Sequence, residues 1–428
     1  MSRLLVLVPD EAARRVREGG QWGQITFRTS DSDHVGAVVA VSHGTDPMIA
    51  TELRPPNHFL RTGDSRGGHC WYRAAPMLHG LWWYARNMDC AVPLDMFKAH
   101  IAGRWSSPPV AGGYVALTVS PDAPKEFPDN SIADLVAWYV TRDAASPVEV
   151  DVVSTEHGFD QLAGHWPTAQ LAEKSVMLVG MGSIGGAAAH ALAGYGVGRI
   201  VLVDHDRLLS HNVVRHVSSA KQVGRLKVDA VKQELSEAWP STYVEALPLN
   251  VVTSAHLIRP LLQQVDAVLC TADGVAARRV VSHLARRAQT DAVLACVLQD
   301  GAFGEVIRLR PWATDGCLNC RREALVRQGA MDPEPGLDQG YGTGTTHRPM
   351  TAVGGDLHLV AQLAAKATVA TILERKGHSD QKLPGEHAIL GLRPTRGWAP
   401  PFDLDHSGDI RWLPATPPLP GCPTCEEP

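Results

Sequence analysis

The chain has 428 residues, 44% of them hydrophobic and 20% charged, and a formal net charge of −5. That length suits two or three domains with a real core, and that charge excludes a strong basic field for nucleic acid. The opening apolar run is too short for a signal peptide and no stretch approaches the roughly 18 to 20 apolar residues that span a bilayer, so the expected location is the cytoplasm.

In chain order, Leu4 to Val8 reads as a strand and Asp10 to Glu18 as a helix, with Asp10 as its N-cap. Ile25 to Arg28, Val35 to Val41 and Met48 to Leu53 read as a short meander. Pro55 to His58 and Asp64 to Cys70 are expected to form an irregular loop, and Ile132 to Val140 a helix. Residues 1–153 are thus expected as a smaller, Trp- and Pro-rich α+β domain. A linker over 154–166 would separate it from the rest, 167–428. Cys70 sits in the Gly-rich loop with His58 and His69 nearby, which makes it a candidate thiol nucleophile. A packed thiol beside Trp71 is the alternative.

The second part alternates apolar strands with amphipathic helices. Strands are expected at Ser175 to Val179, Arg199 to Val203, Val265 to Cys270, Ala292 to Val297 and Gly304 to Leu309. Helices are expected at Ile184 to Tyr195, Lys227 to Ala238, Ala276 to Ala288 and His358 to Leu373. This alternation implies an α/β fold, a Rossmann-like, doubly wound, mostly parallel sheet.

Gly180-x-Gly182-x-x-Gly185 lies between a strand and a helix, and Asp204 ends the next strand. Such glycines let backbone close on phosphate at a helix N-terminus, and the carboxylate can accept from ribose hydroxyls. A ligand-free tight turn is the plain alternative, and the motif alone does not separate ATP from NAD. Asn212, Arg215 and Lys227 follow. A forked Arg contact and a Lys point charge suit a triphosphate and the charge that develops when a carboxylate attacks the α-phosphorus. Taken singly, Arg215 or Lys227 reads rather as a surface cation. Asp273 closes the run Ala267 to Asp273, where a parallel strand end faces the ligand crevice; it can hold Mg²⁺ or cap the next helix.

Eight cysteines do not make a disulfide scaffold. Cys317/Cys320 and Cys422/Cys425 form two Cys-x-x-Cys pairs, the ligand set of a tetrahedral zinc knuckle that would tie the chain end back onto the fold. Two redox pairs are the alternative. Cys270 and Cys296 lie in apolar strand runs and read as core thiols.

Together, Gly180-Met-Gly-Ser-Ile-Gly185, Val203-Asp-His-Asp206, His211-Asn-Val-Val-Arg215, Gly224-Arg-Leu-Lys227, Thr271-Ala-Asp-Gly-Val-Ala-Ala-Arg278 and the two Cys pairs resemble the ThiF/MoeB superfamily over roughly residues 165–428. That superfamily includes the adenylation domains of ubiquitin-activating enzymes. The resemblance implies Mg-ATP-dependent adenylation of the C-terminal carboxylate of a ubiquitin-like protein, a sulfur-carrier protein or a peptide, with release of pyrophosphate. It further implies a homodimer and zinc on the four cysteines. Gly180, Gly182, Ser183, Gly185, Asp204, Asp206, Asn212, Arg215 and Lys227 would then contact the nucleotide. Arg215, Lys227 and Asp273 would act in catalysis, with Asp273 on Mg²⁺.

The chain departs from the pattern in four places. Ser183 stands where a second adjacent Gly is usual, and Gly274 where Asn is. No arginine lies between Arg142 and Arg199 to reach a partner's site, and Gly340 to Thr351 lacks the cysteine that many members use for a thioester. The N-terminal part faintly resembles a ubiquitin-conjugating domain or a degraded deubiquitinase-type (JAB) domain. An NAD(P)-dependent oxidoreductase and a non-catalytic nucleotide-binding scaffold remain the alternative readings.

Overall fold

A computed structural model describes residues 4–30, 34–53, 60, 64–128, 131–153, 159–162, 164–331, 352–394 and 396–426. The chain forms two compact units, residues 1–155 and 156–428.

Unit one opens with β1 (Leu5–Pro9), α1 (Asp10–Glu18), β2 (Trp22–Ser30), β3 (Val35–Val41) and the two-residue β4 (Ile49–Ala50). Strand β5 (Asp64–Arg73), α2 (Pro76–Asn87), β6 (Val92–Pro93), α3 (Leu94–Ala99), β7 (Tyr114–Val119), α4 (Ala123–Glu126), β8 (Leu135–Val140) and β9 (Ala144–Val153) follow. The strand order β1-β3-β2-β5-β7-β8-β9 closes on itself, because β9 also pairs with β1, in parallel. Two expectations fail here. Asp64 to Cys70 is part of a strand held between β2 and β7, not a loop. Residues 135–140 form a strand, not a helix: β7 and β9 flank it, and its run Leu-Val-Ala-Trp-Tyr-Val is too short for periodicity to decide. Asp10 makes no capping bond; Pro9 holds the N-cap position of α1.

Unit two begins with α5 (Thr168–Ala172), β10 (Ser175–Val179), α6 (Ser183–Gly194), β11 (Arg199–Val203), α7 (Lys227–Ala238) and β12 (Tyr243–Leu247). It continues with α8 (Ala255–Leu262), β13 (Ala267–Cys270), α9 (Val275–Arg287), β14 (Asp291–Leu298) and β15 (Phe303–Leu309). Helices α10 (Leu318–Arg327) and α11 (Gly354–Glu374) and strands β16 (His387–Gly391) and β17 (Ile410–Leu413) complete it. The sheet order is β12-β11-β10-β13-β14-β15-β16-β17. The first five strands are parallel and the last three join antiparallel. The fold of this unit is α/β. Residues alternate along β10: Val176 and Leu178 join the core with α6, α7 and α11, while Met177 and Val179 join the opposite core with α8 and α9.

Strand order reverses between β10 and β13, so their carboxyl ends part and leave a crevice. Helix α11 is long and apolar enough to cross a membrane by length and composition, contrary to expectation, but 67% of that stretch is buried against the protein. Its Ala-rich face packs on α6 and the sheet, as a core helix does.

Candidate active site

A cleft of about 460 Å³ occupies the crevice. The turn after β10, the ends of β11 and β13, and the segments carrying Asn212, Arg215 and Lys227 all line it. Gly180 has φ +92° and its Cβ position falls 2.7 Å from the backbone nitrogen of Ala272, so only glycine fits. A Cβ on Gly185 would lie 1.8 Å from the Gly180 carbonyl oxygen. The turn is held by Thr271 and by Asp204, which is itself fixed by a further bond. The Thr271 hydroxyl donates to the Gly180 carbonyl at 2.6 Å. The Met181 N–H donates to Asp204 Oδ2 at 2.6 Å, and the Asp206 N–H to Asp204 Oδ1 at 2.8 Å. Each Asp204 oxygen keeps a second lone pair for an incoming hydroxyl.

Lys227 Nζ pairs with Asp206 Oδ2 at 2.9 Å. Asn212 turns its carbonyl oxygen back to the Leu209 N–H, 3.0 Å away. Arg215 is half-buried, and among the described residues its guanidinium has no hydrogen-bond or ion-pair partner. The start of α11 holds it from behind: the Arg215 carbonyl meets His358 Nε2 at 3.1 Å, and Gly354 leaves room for its backbone. Asp273 sits at the cleft lining with its surface still open to the cleft. Crowding by protein atoms pushes its carboxyl up, against the pull of Arg278, Lys227 and Arg215. A cation beside it would reverse that shift. The structure therefore brings Gly180, Gly182, Asp204, Asp206, Asn212, Arg215, Lys227 and Asp273 into one cleft; Ser183 lies just behind, at the start of α6.

Several lining residues were given no role in the sequence reading: Thr271 and His205, quoted only within motifs, and Leu249 to Val252 after β12. A rule for parallel sheets, that loops after strand ends face the crevice, would have flagged the last group. His216 was missed too and is taken up below.

The four paired cysteines converge. Cys317 Sγ lies 3.8 Å from Cys320 Sγ and 3.6 Å from Cys422 Sγ, and Cys320 Sγ lies 3.7 Å from Cys425 Sγ. The Cys317 N–H donates to Cys425 Sγ and the Leu419 N–H to Cys320 Sγ, both at 3.3 Å. Burial pushes the Cys317 thiol up and that of Cys425 to about 11. Cys422 moves the other way: burial opposes its thiolate too, but N–H groups of Thr424 and Cys425 hold it down.

Cys70 has a different setting. It is buried in β5, and burial pushes its thiol up. His69, its neighbour, points to the opposite face, accepts the Val115 N–H at 2.9 Å and packs on Phe27. No cation lowers the Cys70 pKa among the described groups that act on it. These surroundings are those of a packed core thiol, against the nucleophile expectation. His58 and the segment 340–351 lie outside the described residues.

The ThiF family model matches residues 158–386. The chain belongs to the ThiF family. It is 28% identical over 239 residues to ubiquitin-like modifier-activating enzyme 5 of Oryza sativa subsp. japonica, covering 50% of this chain and 56% of that protein. It is 28% identical over 152 residues to the sulfur carrier protein ThiS adenylyltransferase of Escherichia coli (strain K12), covering 35% of this chain and 59% of that one. The chain thus spans about half the length of the curated relatives it matches. Among solved structures, E. coli MccB with ATP is 20% identical, with a TM-score of 0.44, covering 60% of this chain and 68% of that one.

Proposed function

We propose that this protein is an ATP-dependent adenylyltransferase that activates the C-terminal carboxylate of a ubiquitin-like protein, a sulfur-carrier protein or a peptide. One observation carries the reading: a half-buried Arg215 without a partner among the described residues faces the same cleft as Lys227, Asp273 and the glycine turn. A half-buried guanidinium with no hydrogen-bond or ion-pair partner among the described residues favours an anionic ligand. A carboxylate oxygen attacks the α-phosphorus, a new O–P bond forms, the bond to the bridging oxygen of the β-phosphate breaks, and pyrophosphate leaves with that electron pair. Arg215 and Lys227 stabilise the charge on the phosphate oxygens, Lys227 by leaving Asp206. Asn212 offers its amide N–H, Asp204 its free lone pairs to the ribose, and Ser183 flanks the phosphates. Bound Mg²⁺ would supply charge neutralisation, with Asp273 as its protein ligand. The names of the curated relatives, a modifier-activating enzyme and an adenylyltransferase, support the same class.

Zinc fits the cysteine quartet. Four sulfurs at the usual zinc–sulfur bond length stand about 3.8 Å apart in a tetrahedron, close to the 3.6, 3.7 and 3.8 Å found. Four crowded sulfurs, with burial pushing the Cys317 and Cys425 thiols up, need a cation to stay ionised together. We place the protein in the cytoplasm as a homodimer; with Cys70 packed away, the activated acyl group goes to an acceptor outside the chain.

The test is ATP–pyrophosphate exchange with Mg²⁺ and candidate carrier proteins. Exchange that depends on a free carrier C-terminus supports the reading. Tight NADH binding without ATP binding overturns it in favour of a dehydrogenase, and ATP binding without exchange for any carrier favours a scaffold.

A further inference from the structure

His216 is buried behind the nucleotide turn and is not part of the chemistry above. Its Nδ1 accepts the Ser218 N–H at 3.0 Å, so the ring proton resides on Nε2, which donates to the Met181 carbonyl at 2.9 Å. Ser218 is itself tied to Glu234 on α7 by a 2.8 Å hydroxyl-to-carboxylate bond. Gly186 on α6 makes room for the ring: a Cβ there would lie 2.8 Å from Val217 and 3.4 Å from His216 Cε1. Burial pushes the imidazole's pKa down against the opposing pull of the Met181 bond; Lys227 adds to the lowering, and Glu234 and Asp204 oppose it more weakly.

The consequence lies in peptide geometry. A trans peptide points its C=O and its N–H in opposite directions. In the Gly180–Met181 peptide both ends are taken, by Thr271 and Asp204. In the next peptide His216 takes only the Met181 carbonyl. The Gly182 N–H on its far side therefore faces away from His216, and among the described residues it has no hydrogen-bond partner. Gly182 lines the cleft. We propose that His216 is a positioning residue: by holding the Met181 carbonyl through Nε2–H, it aims the Gly182 N–H at a phosphate oxygen of the bound nucleotide. This rests on the reading that the cleft binds ATP.

Two substitutions divide the ring between them. The amide nitrogen of His216→Gln reaches the Nε2 position and can still donate to Met181. The side-chain oxygen of His216→Asn reaches the Nδ1 position and keeps only the Ser218 contact. Binding of ATP and of adenosine is measured by titration calorimetry on the full chain. We expect His216→Gln to stay within about threefold of wild type for ATP and His216→Asn to lose roughly tenfold, the size of one oriented hydrogen bond. Adenosine, which has no phosphate, should bind all three alike. Equal ATP affinity in both variants, or a parallel loss for ATP and adenosine, overturns the proposal. In the wild-type protein the Gly182 amide resonance should shift with ATP and not with adenosine; a Gly182 amide that ignores ATP overturns it without any variant. Failure of the wild type to bind ATP instead overturns the reading of the cleft.

Discussion

Unit two gathers charge in two places and treats it in opposite ways. Beneath β15, Glu305 is sealed from solvent and receives Arg322 through both oxygens, with His387 Nε2 at 2.9 Å and Cys296 Sγ at 3.5 Å. Arg308 and Arg310 nearby bridge to Glu374 and Glu386. In the cleft, Arg215 and Asp273 face open space and Lys227 shares a carboxylate that is itself partly exposed. In the buried network the charges answer one another, and their loss is felt as stability. Those in the cleft are incompletely answered, and their loss should be felt as function.

The sharpest challenge to that contrast is metal removal. Structural zinc contributes on the order of 10 kcal/mol in peptide systems. Metal analysis should find about one zinc per chain, and Cys422→Ser or Cys425→Ser should lower thermal stability far more than ATP affinity. A metal-free preparation of full stability would break the assignment. Glu305→Ala comes next. It removes the buried carboxylate that receives Arg322 through both oxygens, so denaturant unfolding should show a loss of about 3–5 kcal/mol. Asp273→Ala should do the reverse: exchange falls by roughly 10²–10³, while the melting temperature stays near wild type. If Asp273→Ala unfolds the protein as Glu305→Ala does, the division of labour is wrong.

Acid should act on the buried histidines. His79, His216 and His387 are pushed down chiefly by burial. Once unfolded they bind protons near the ordinary value of about 6.5. Their contribution is therefore complete above that pH and declines as pH drops below it, because the unfolded chain takes up protons that the folded one refuses. Melting temperatures measured from pH 7.5 to 5 should fall, and His79→Gln should flatten the slope. The smallest effect is expected at Asp206, whose pair with Lys227 is partly exposed. Asp206→Asn should change unfolding free energy by less than about 1 kcal/mol, and a larger loss would place this pair with the buried network.

The site was legible where chemistry is local in sequence. The turn from Gly180 to Gly185 and the carboxylate of Asp204 are dictated by strand, glycine and helix in immediate succession. Helix α7 was read to the residue because Val228, Val231 and Leu235 mark one face. Contacts made through space left no such trace. Thr271 looks like any strand-end threonine until β13 lies beside β10. His216 has meaning only once Met181 is next to it. Strand β5 was hidden by its own polar and glycine residues, Asp64-Ser-Arg-Gly-Gly-His; it is extended because β2 pairs along it and β7 joins from Cys70 onward, tertiary context overriding propensity.

The closed ring of unit one sets an order of events in time. Leu5 on β1 pairs with Glu149 on β9, which joins the first strand of the unit to the last. Loop-closure entropy for so distant a pair must be met before the contact gives anything back. Strand β1 can dock early on the nearby β3, through Leu5 and Val35, but its other edge stays unsatisfied until β9 arrives. Refolding of this unit should therefore be slow for its size, with protection of the β1 amides from hydrogen exchange developing in step with that of β9.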